Sequence, residues 1–369
     1  MSEATPEHTA VRETEQLLVV DSLAPGLLLA KGEPLRAESP AMPDPAAIRE
    51  RLTRWEGKYM KGRSAATIKA VRADWGVVTS WCERAGRCVL PMAEPDLVLF
   101  LTDMLSLKRK KATLVRYVRT IALIHRAAQL PSPQQHPEWK DDWAVICRQL
   151  GELDLVAPKQ APPMRTSYLD AMLATLGDTP IELRDAALIS LASDTLCRES
   201  ELVQLQLRDI MPAQSGGAFT VYLGRTKTDQ DGMGAYRFCS ADTHARLLAW
   251  CRCAGIERGE DHLFLPVGRR KIFERPDTGK PMLPVQVARV LERVARRAGV
   301  GVRLTGHSAR VGSAVEMTEA GSPVRAIMDA GGWQAERMVL QYTKQSRAGQ
   351  NAMADLRRKQ KTLEQKDNG

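Results

Sequence analysis

The sequence predicts a mainly α-helical protein of two domains, with a small antiparallel β-sheet in the second. Three observations carry that expectation. Apolar residues recur at close to 3.6-residue spacing in segment after segment between residues 46 and 156. The stretch Ala157-Pro158-Lys159-Gln160-Ala161-Pro162-Pro163 then forms an extended, semi-rigid linker, because each proline fixes its own φ and pushes the preceding residue out of the helical region. Beyond it, two short β-like runs, 218–223 and 236–239, flank the polar, glycine-containing segment 226–234, the pattern of a hairpin or small sheet.

The elements follow in chain order. Residues 1–45 are rich in Ala, Pro and Glu and hold no period, which predicts a disordered acidic extension with eight acids against three bases. Asp44-Pro45 opens a helix, with proline in the first turn. Ser64 precedes a second, carried by Ile68, Val71, Trp75, Val78 and Trp81 and closed by Gly86. Glu94-Pro95 starts a third through Leu105. Leu114, Val118, Ile121 and Ile124 mark a fourth over 113–128, and a fifth covers 139–150. Residues 46–156 are thus one helical domain and 157–164 the linker. The second domain, 165–346, has helices expected over 183–193, 199–205, 243–254, 285–298, 307–320 and 324–330. The tail, 347–369, holds an amphipathic helix over 351–366 with Met353, Leu356 and Leu363.

Composition narrows the function. The net charge is +9, and the acidic extension concentrates the cationic excess in the rest of the chain. Charge alone leaves a polyanionic partner and a merely soluble basic protein equally open. Aromatic residues make up 5% of the chain, which argues against a large stacking surface for single-stranded nucleic acid. The seven cysteines lack zinc-site spacing and fit reduced core thiols. The start is too acidic for a secretory leader, and the apolar stretch 17–30 is too short to span a bilayer. A cytoplasmic protein with no membrane partner is expected.

Three segments carry chemistry. In Thr305-Gly306-His307-Ser308-Ala309-Arg310, His307 and Arg310 are three apart and would share a helix face. An Arg there offers two fixed donors to phosphate oxygens, and an imidazole can exchange a proton. Gly331-Gly332-Trp333 and Gln341-Tyr342 follow. In the second segment, Arg198-Glu199-Ser200-Glu201, Arg198 sits at a helix start and Glu201 can orient Arg198 or His307. The third, Gly224-Arg225-Thr226-Lys227-Thr228, puts Lys227 on the hairpin loop, within reach of a leaving oxygen. Singly, each has a plain reading: a surface pair, an exposed ion pair, a solvated lysine.

Jointly they do not. In order and spacing, Arg198, Lys227, His307, Arg310, Trp333 and Tyr342 resemble the active site of the tyrosine recombinase (phage integrase) family, and the resemblance covers about residues 46–356. It implies a C-shaped DNA clamp: a helical, SAM-like core-binding domain followed by an α+β catalytic domain. The implied activity is site-specific strand breakage and rejoining through a 3′-phosphotyrosyl intermediate and a Holliday junction, with no metal, ATP or other cofactor. Tyr342 would be the nucleophile, His307 its base, and Arg198 and Arg310 the phosphate clamp. Lys227 would protonate the leaving oxygen, Glu201 would orient its neighbours, and Trp333 would donate an indole N–H beside Tyr342. The implied partners are duplex DNA with inverted-repeat half-sites and three further copies of the chain.

Expected phosphate contacts are Lys69, Arg72, Lys108, Arg109, Lys110, Lys111, Arg116 and Arg119, with the helix faces over 67–80 and 113–126 in the major groove. Gln286 and Arg289 are the expected base contacts, and Met353 and Leu356 the expected contacts to a neighbouring subunit. A telomere resolvase, a transposase or a type IB topoisomerase on the same fold, and a DNA-binding protein without catalysis, are the competing readings.

Overall fold

The computed structural model describes residues 44–157, 160–214, 216–224, 234–267 and 280–367. The expected N-terminal extension, up to residue 43, and Lys227 lie outside the described residues. The chain divides into two compact units between Lys159 and Gln160, inside the proline-rich stretch.

The first unit is five helices: α1 (Pro45–Gly62), α2 (Ala65–Ala85), α3 (Glu94–Ser106), α4 (Lys111–Ala128) and α5 (Trp139–Glu152). Local chemistry sets their ends. The Ser64 hydroxyl accepts the Thr67 N–H to start α2, and Gly86, at φ 62°, ends it in the left-handed conformation. The 3.6-residue pattern turns Trp75, Phe100, Leu114, Ile121 and Ile124 into one core, all fully buried. His125 is buried with them. Its Nδ1 bonds the Ile121 carbonyl at 2.8 Å, and its Nε2 accepts the Met92 N–H at 2.9 Å.

The second unit runs α6 (Thr166–Ala174), α7 (Pro180–Thr195), α8 (Glu199–Leu202), β1 (Ile210–Pro212), β2 (Phe219–Leu223), β3 (Ala235–Cys239), α9 (Ala241–Ala254), α10 (Pro284–Arg297), α11 (Ser308–Glu319), α12 (Val324–Gly331), α13 (Glu336–Tyr342), α14 (Lys344–Ala348) and α15 (Ala352–Asp367). The strands form one antiparallel sheet in the order β1-β2-β3, with Val221 opposite Arg237 and Tyr222 opposite Tyr236. Trp250 and Phe264 fill the main core, and the Trp250 indole donates to the Leu263 carbonyl at 2.6 Å. A smaller core of Leu196, Ala314, Ile327, Met328, Trp333 and Val339 lies beside it, with Tyr342 packed against it.

Several expectations need correction. The helix expected over 199–205 stops at Leu202, because Leu205 accepts the Leu263 N–H and Gln206 bridges to His262. The helices α6, α13 and α14 were not expected; each is nine residues or fewer, too short for a period to stand out. Strand β1 has three residues and exists through its pairing with β2. No helix among the described residues is long and apolar enough to cross a membrane.

Candidate active site

The site is assembled where α7 ends. Leu196 closes that helix at φ 53°, a left-handed conformation uncommon for a side-chain-bearing residue. The bend turns the Leu196 carbonyl toward α11, where it accepts from the Arg310 guanidinium. Arg198 follows in extended conformation as the cap of α8. One Glu201 oxygen accepts the Arg198 backbone N–H at 2.9 Å, and the other accepts its guanidinium Nη1 at 2.5 Å. Arg198 is thus held at both ends by one carboxylate, with a quarter of its side chain exposed. Glu201 supplies the anion that fixes this arginine.

Arg310 is 4% exposed. Its Cζ stands 4.2 Å from the centroid of the Trp333 ring, a cation–π contact in a site largely removed from water. The Trp333 and Tyr342 rings lie 6.0 Å apart, tilted by 58°. Among the described residues, the Arg310 Nη2 is buried with no hydrogen-bond partner. Burial, then the charge of Arg198, lowers the guanidinium from its ordinary 12.5 to about 10, with Glu201 and Tyr342 pulling the other way. Arg310 therefore stays charged at neutral pH with one donor unused.

His307 caps the helix that carries Arg310. Helix α11 starts at Ser308; His307, just before it, is exposed, while Arg310 is buried one turn on. The Val311 N–H bonds the His307 carbonyl at 3.0 Å, so the backbone is already helical at His307, three residues before Arg310. The Ser308 hydroxyl accepts the Thr305 N–H at 2.9 Å and stiffens this approach.

Residues that motif reading passed over complete the site. Arg237 on β3 has its buried Nε unpaired among the described residues and lies against Gly332. A Cβ at Gly332, itself at φ 62°, would fall 1.8 Å from the Arg237 Nη2, and one at Gly331 would fall 2.1 Å from the Trp333 ring. The paired glycines thus admit an arginine on one side and the indole on the other. The period-2 pattern of β3 held the signal, since Tyr236 and Phe238 face out and Arg237 faces in. Cys197, beside Arg198, is buried, and its thiol is pushed up to about 11. All seven cysteines are free.

The profile of the phage integrase family matches residues 164–348, half of the chain. The chain belongs to that family, the tyrosine recombinases. It is 24% identical over 291 residues to the recombinase cre of Escherichia phage P1, covering 75% of this chain and 83% of that protein. It is 28% identical over 299 residues to the integrase/recombinase xerD homolog of Selenomonas ruminantium, covering 77% and 83%. Among solved structures, the XerH site-specific recombinase bound to palindromic difH substrate matches with TM-score 0.59 at 14% identity, over 90% of this chain and 94% of that one. The Tn1549 transposon integrase in complex with transposon right end DNA matches at 0.54 and 15%, over 84% and 99%. At these identities the solved structures establish a shared fold.

The remaining expected residues of this tyrosine recombinase differ in exposure and in the bonds that hold them. Lys69, Arg72, Lys108, Arg109 and Arg119 are exposed, and Lys111 is half-buried. The Lys110 Nζ donates to the Ala157 carbonyl at 3.2 Å. Arg116 is not a loose cation: its Nε and Nη2 bond the two oxygens of the buried Asp74 at 2.7 and 2.8 Å, tying α4 to α2. Gln286 likewise spends its carbonyl on the Leu283 N–H at 2.7 Å, capping α10, whereas Arg289 is exposed. Met353 and Leu356 are exposed on α15. One group of possible metal ligands lies together among the described residues, Glu94, His136 and Glu138 of the helical unit. None of these three was expected in the chemistry.

Proposed function

We propose that this tyrosine recombinase cuts and rejoins duplex DNA site-specifically, with Tyr342 forming a 3′-phosphotyrosyl bond. The observation that carries the proposal is the buried, charged Arg310 with a free donor, set beside Arg198 and in the field of the Tyr342 phenol. An arginine held dry with an unused N–H has a structural reason to wait for an anion. A scissile phosphate between Arg198 and Arg310 would have its developing charge neutralised from two directions.

The chemistry follows. The Tyr342 oxygen attacks phosphorus as its proton passes to His307. The phosphorus–5′ oxygen bond breaks, and Lys227 supplies the proton to the departing oxygen. Trp333 fixes the Arg310 plane and buttresses Tyr342. A 5′-hydroxyl from the partner strand reverses the step, so phosphodiester energy is conserved without ATP or metal. Two rounds pass through a Holliday junction. The helical unit and the catalytic unit each contact duplex DNA with inverted-repeat half-sites. Lys69, Arg72, Arg119 and the run 108–111 contact phosphates, and Arg289 reads bases. Four copies assemble on the DNA, Met353 and Leu356 of each seating in its neighbour. The setting is cytoplasmic, on nucleoid, plasmid or phage DNA.

Duplexes selected from a random library by the Tyr342→Phe protein, then nicked beside the scissile phosphate, test the proposal. The unsubstituted protein should become covalently attached to the nicked duplex, and Tyr342→Phe should not. Tight binding with no adduct on any selected duplex would leave a DNA-binding protein without catalysis.

A further inference from the structure

One acidic side chain of the site has no role in the chemistry above, and the inference drawn from it rests on that chemistry. Both Glu201 oxygens are taken by Arg198, so the carboxylate expected to serve either Arg198 or His307 serves the arginine. Glu199, two residues earlier, lies elsewhere. It is half-buried, and its carboxylate is pressed onto the backbone immediately before His307. A Cβ at Gly306 would stand 1.4 Å from the Glu199 Oε1 and 2.0 Å from its Cδ. Gly306 is therefore glycine for a close approach, and what approaches is a carboxylate. Burial raises the Glu199 carboxyl above its ordinary value, and the charge that draws it back is His307.

The charges around this corner leave His307 little other help. Glu201 is neutralised by Arg198, which leaves Glu199 as the carboxylate set against the His307 backbone. A histidine that accepts a proton in a cationic site needs an orienting, charge-balancing carboxylate. We propose that Glu199 is a positioning residue that sets the orientation of the His307 imidazole and balances its charge while it holds the Tyr342 proton. In that step the phenol O–H bond breaks, the oxygen–phosphorus bond forms, the proton goes to the imidazole, and the electron pair of the broken phosphorus–oxygen bond leaves on the 5′ oxygen. Glu199 exchanges no atom.

Glu199→Gln in the full chain keeps shape and removes charge. With the selected nicked duplex as probe, adduct formation should slow by on the order of tenfold at neutral pH, with DNA affinity and melting temperature unchanged. In the unsubstituted protein the rate should fall on the acid side, and the midpoint of that fall should move in Glu199→Gln. Nitrogen-15 NMR of the ring, assigned with His307→Gln, gives a readout independent of catalysis. The His307 ring should hold one tautomer in the unsubstituted protein and average between two in Glu199→Gln. An unchanged ring spectrum overturns the inference whether or not cleavage is found. An adduct-forming protein whose pH profile is the same in both forms overturns it while leaving the recombinase reading intact.

Discussion

Two buried basic side chains, one in each unit, are treated in opposite ways. His125 of the helical unit is fully buried with both ring nitrogens bonded to backbone, and burial lowers it to about 4, so it is neutral. Arg310 of the catalytic unit is nearly as buried, yet stays charged and keeps a donor idle. The first is a hydrogen-bonded plug that happens to be titratable. The second is a charge stored where water cannot spread it, which is wasteful for stability and useful for a phosphate. His125 serves the scaffold with both ring nitrogens bonded, whereas Arg310 keeps one donor open at the site.

The sharpest way to break this contrast is Arg310→Ala. Adduct formation should fall by about 10²–10³-fold or more, corresponding to about 3–4 kcal/mol of lost transition-state stabilisation, as measured on the nicked duplex. The melting temperature should change little, because removing a desolvated charge offsets the lost bond to the Leu196 carbonyl and the lost contact with Trp333; a collapse in stability would show that Arg310 is scaffold after all.

His125 should behave inversely, with no effect on chemistry and a strong effect on acid stability. Between pH 6.5 and about 4 the unfolded chain binds a proton that the folded chain refuses, so stability falls as pH falls. The loss should reach about 3 kcal/mol once the pH is below the folded value. Denaturant titrations at several pH values, compared with His125→Gln, measure it; equal pH slopes in the two proteins would remove the argument.

Gln286 gives the smallest effect. As a helix cap, its replacement by Ala should lower stability by roughly 0.5–1 kcal/mol and leave the selected DNA sequence unaltered. A changed sequence preference would return Gln286 to the base-reading set.

Much of this was legible in the chain. Trp75, Ile121 and Ile124 are spaced as their burial requires, and Ser64 and Gly86 mark helix ends by local bonding alone. Arg198, Arg310, Trp333 and Tyr342 could be picked out by type and order. Other roles could not. Arg116 and Gln286 look like free polar groups until Asp74 and the Leu283 N–H are seen to hold them. Glu199 looks like a solvated helix residue until Gly306, more than a hundred positions away, is found beneath it.

By itself, the sequence determined the longer helices and the break between the units and marked a set of candidate reactive side chains, because periodicity, capping and functional-group chemistry act over a few residues. Only the tertiary structure decided which charges are paired and which are left open. Pairing depends on atoms that meet across long stretches of chain, and burial, which sets the strength of each charge, belongs to the packed whole.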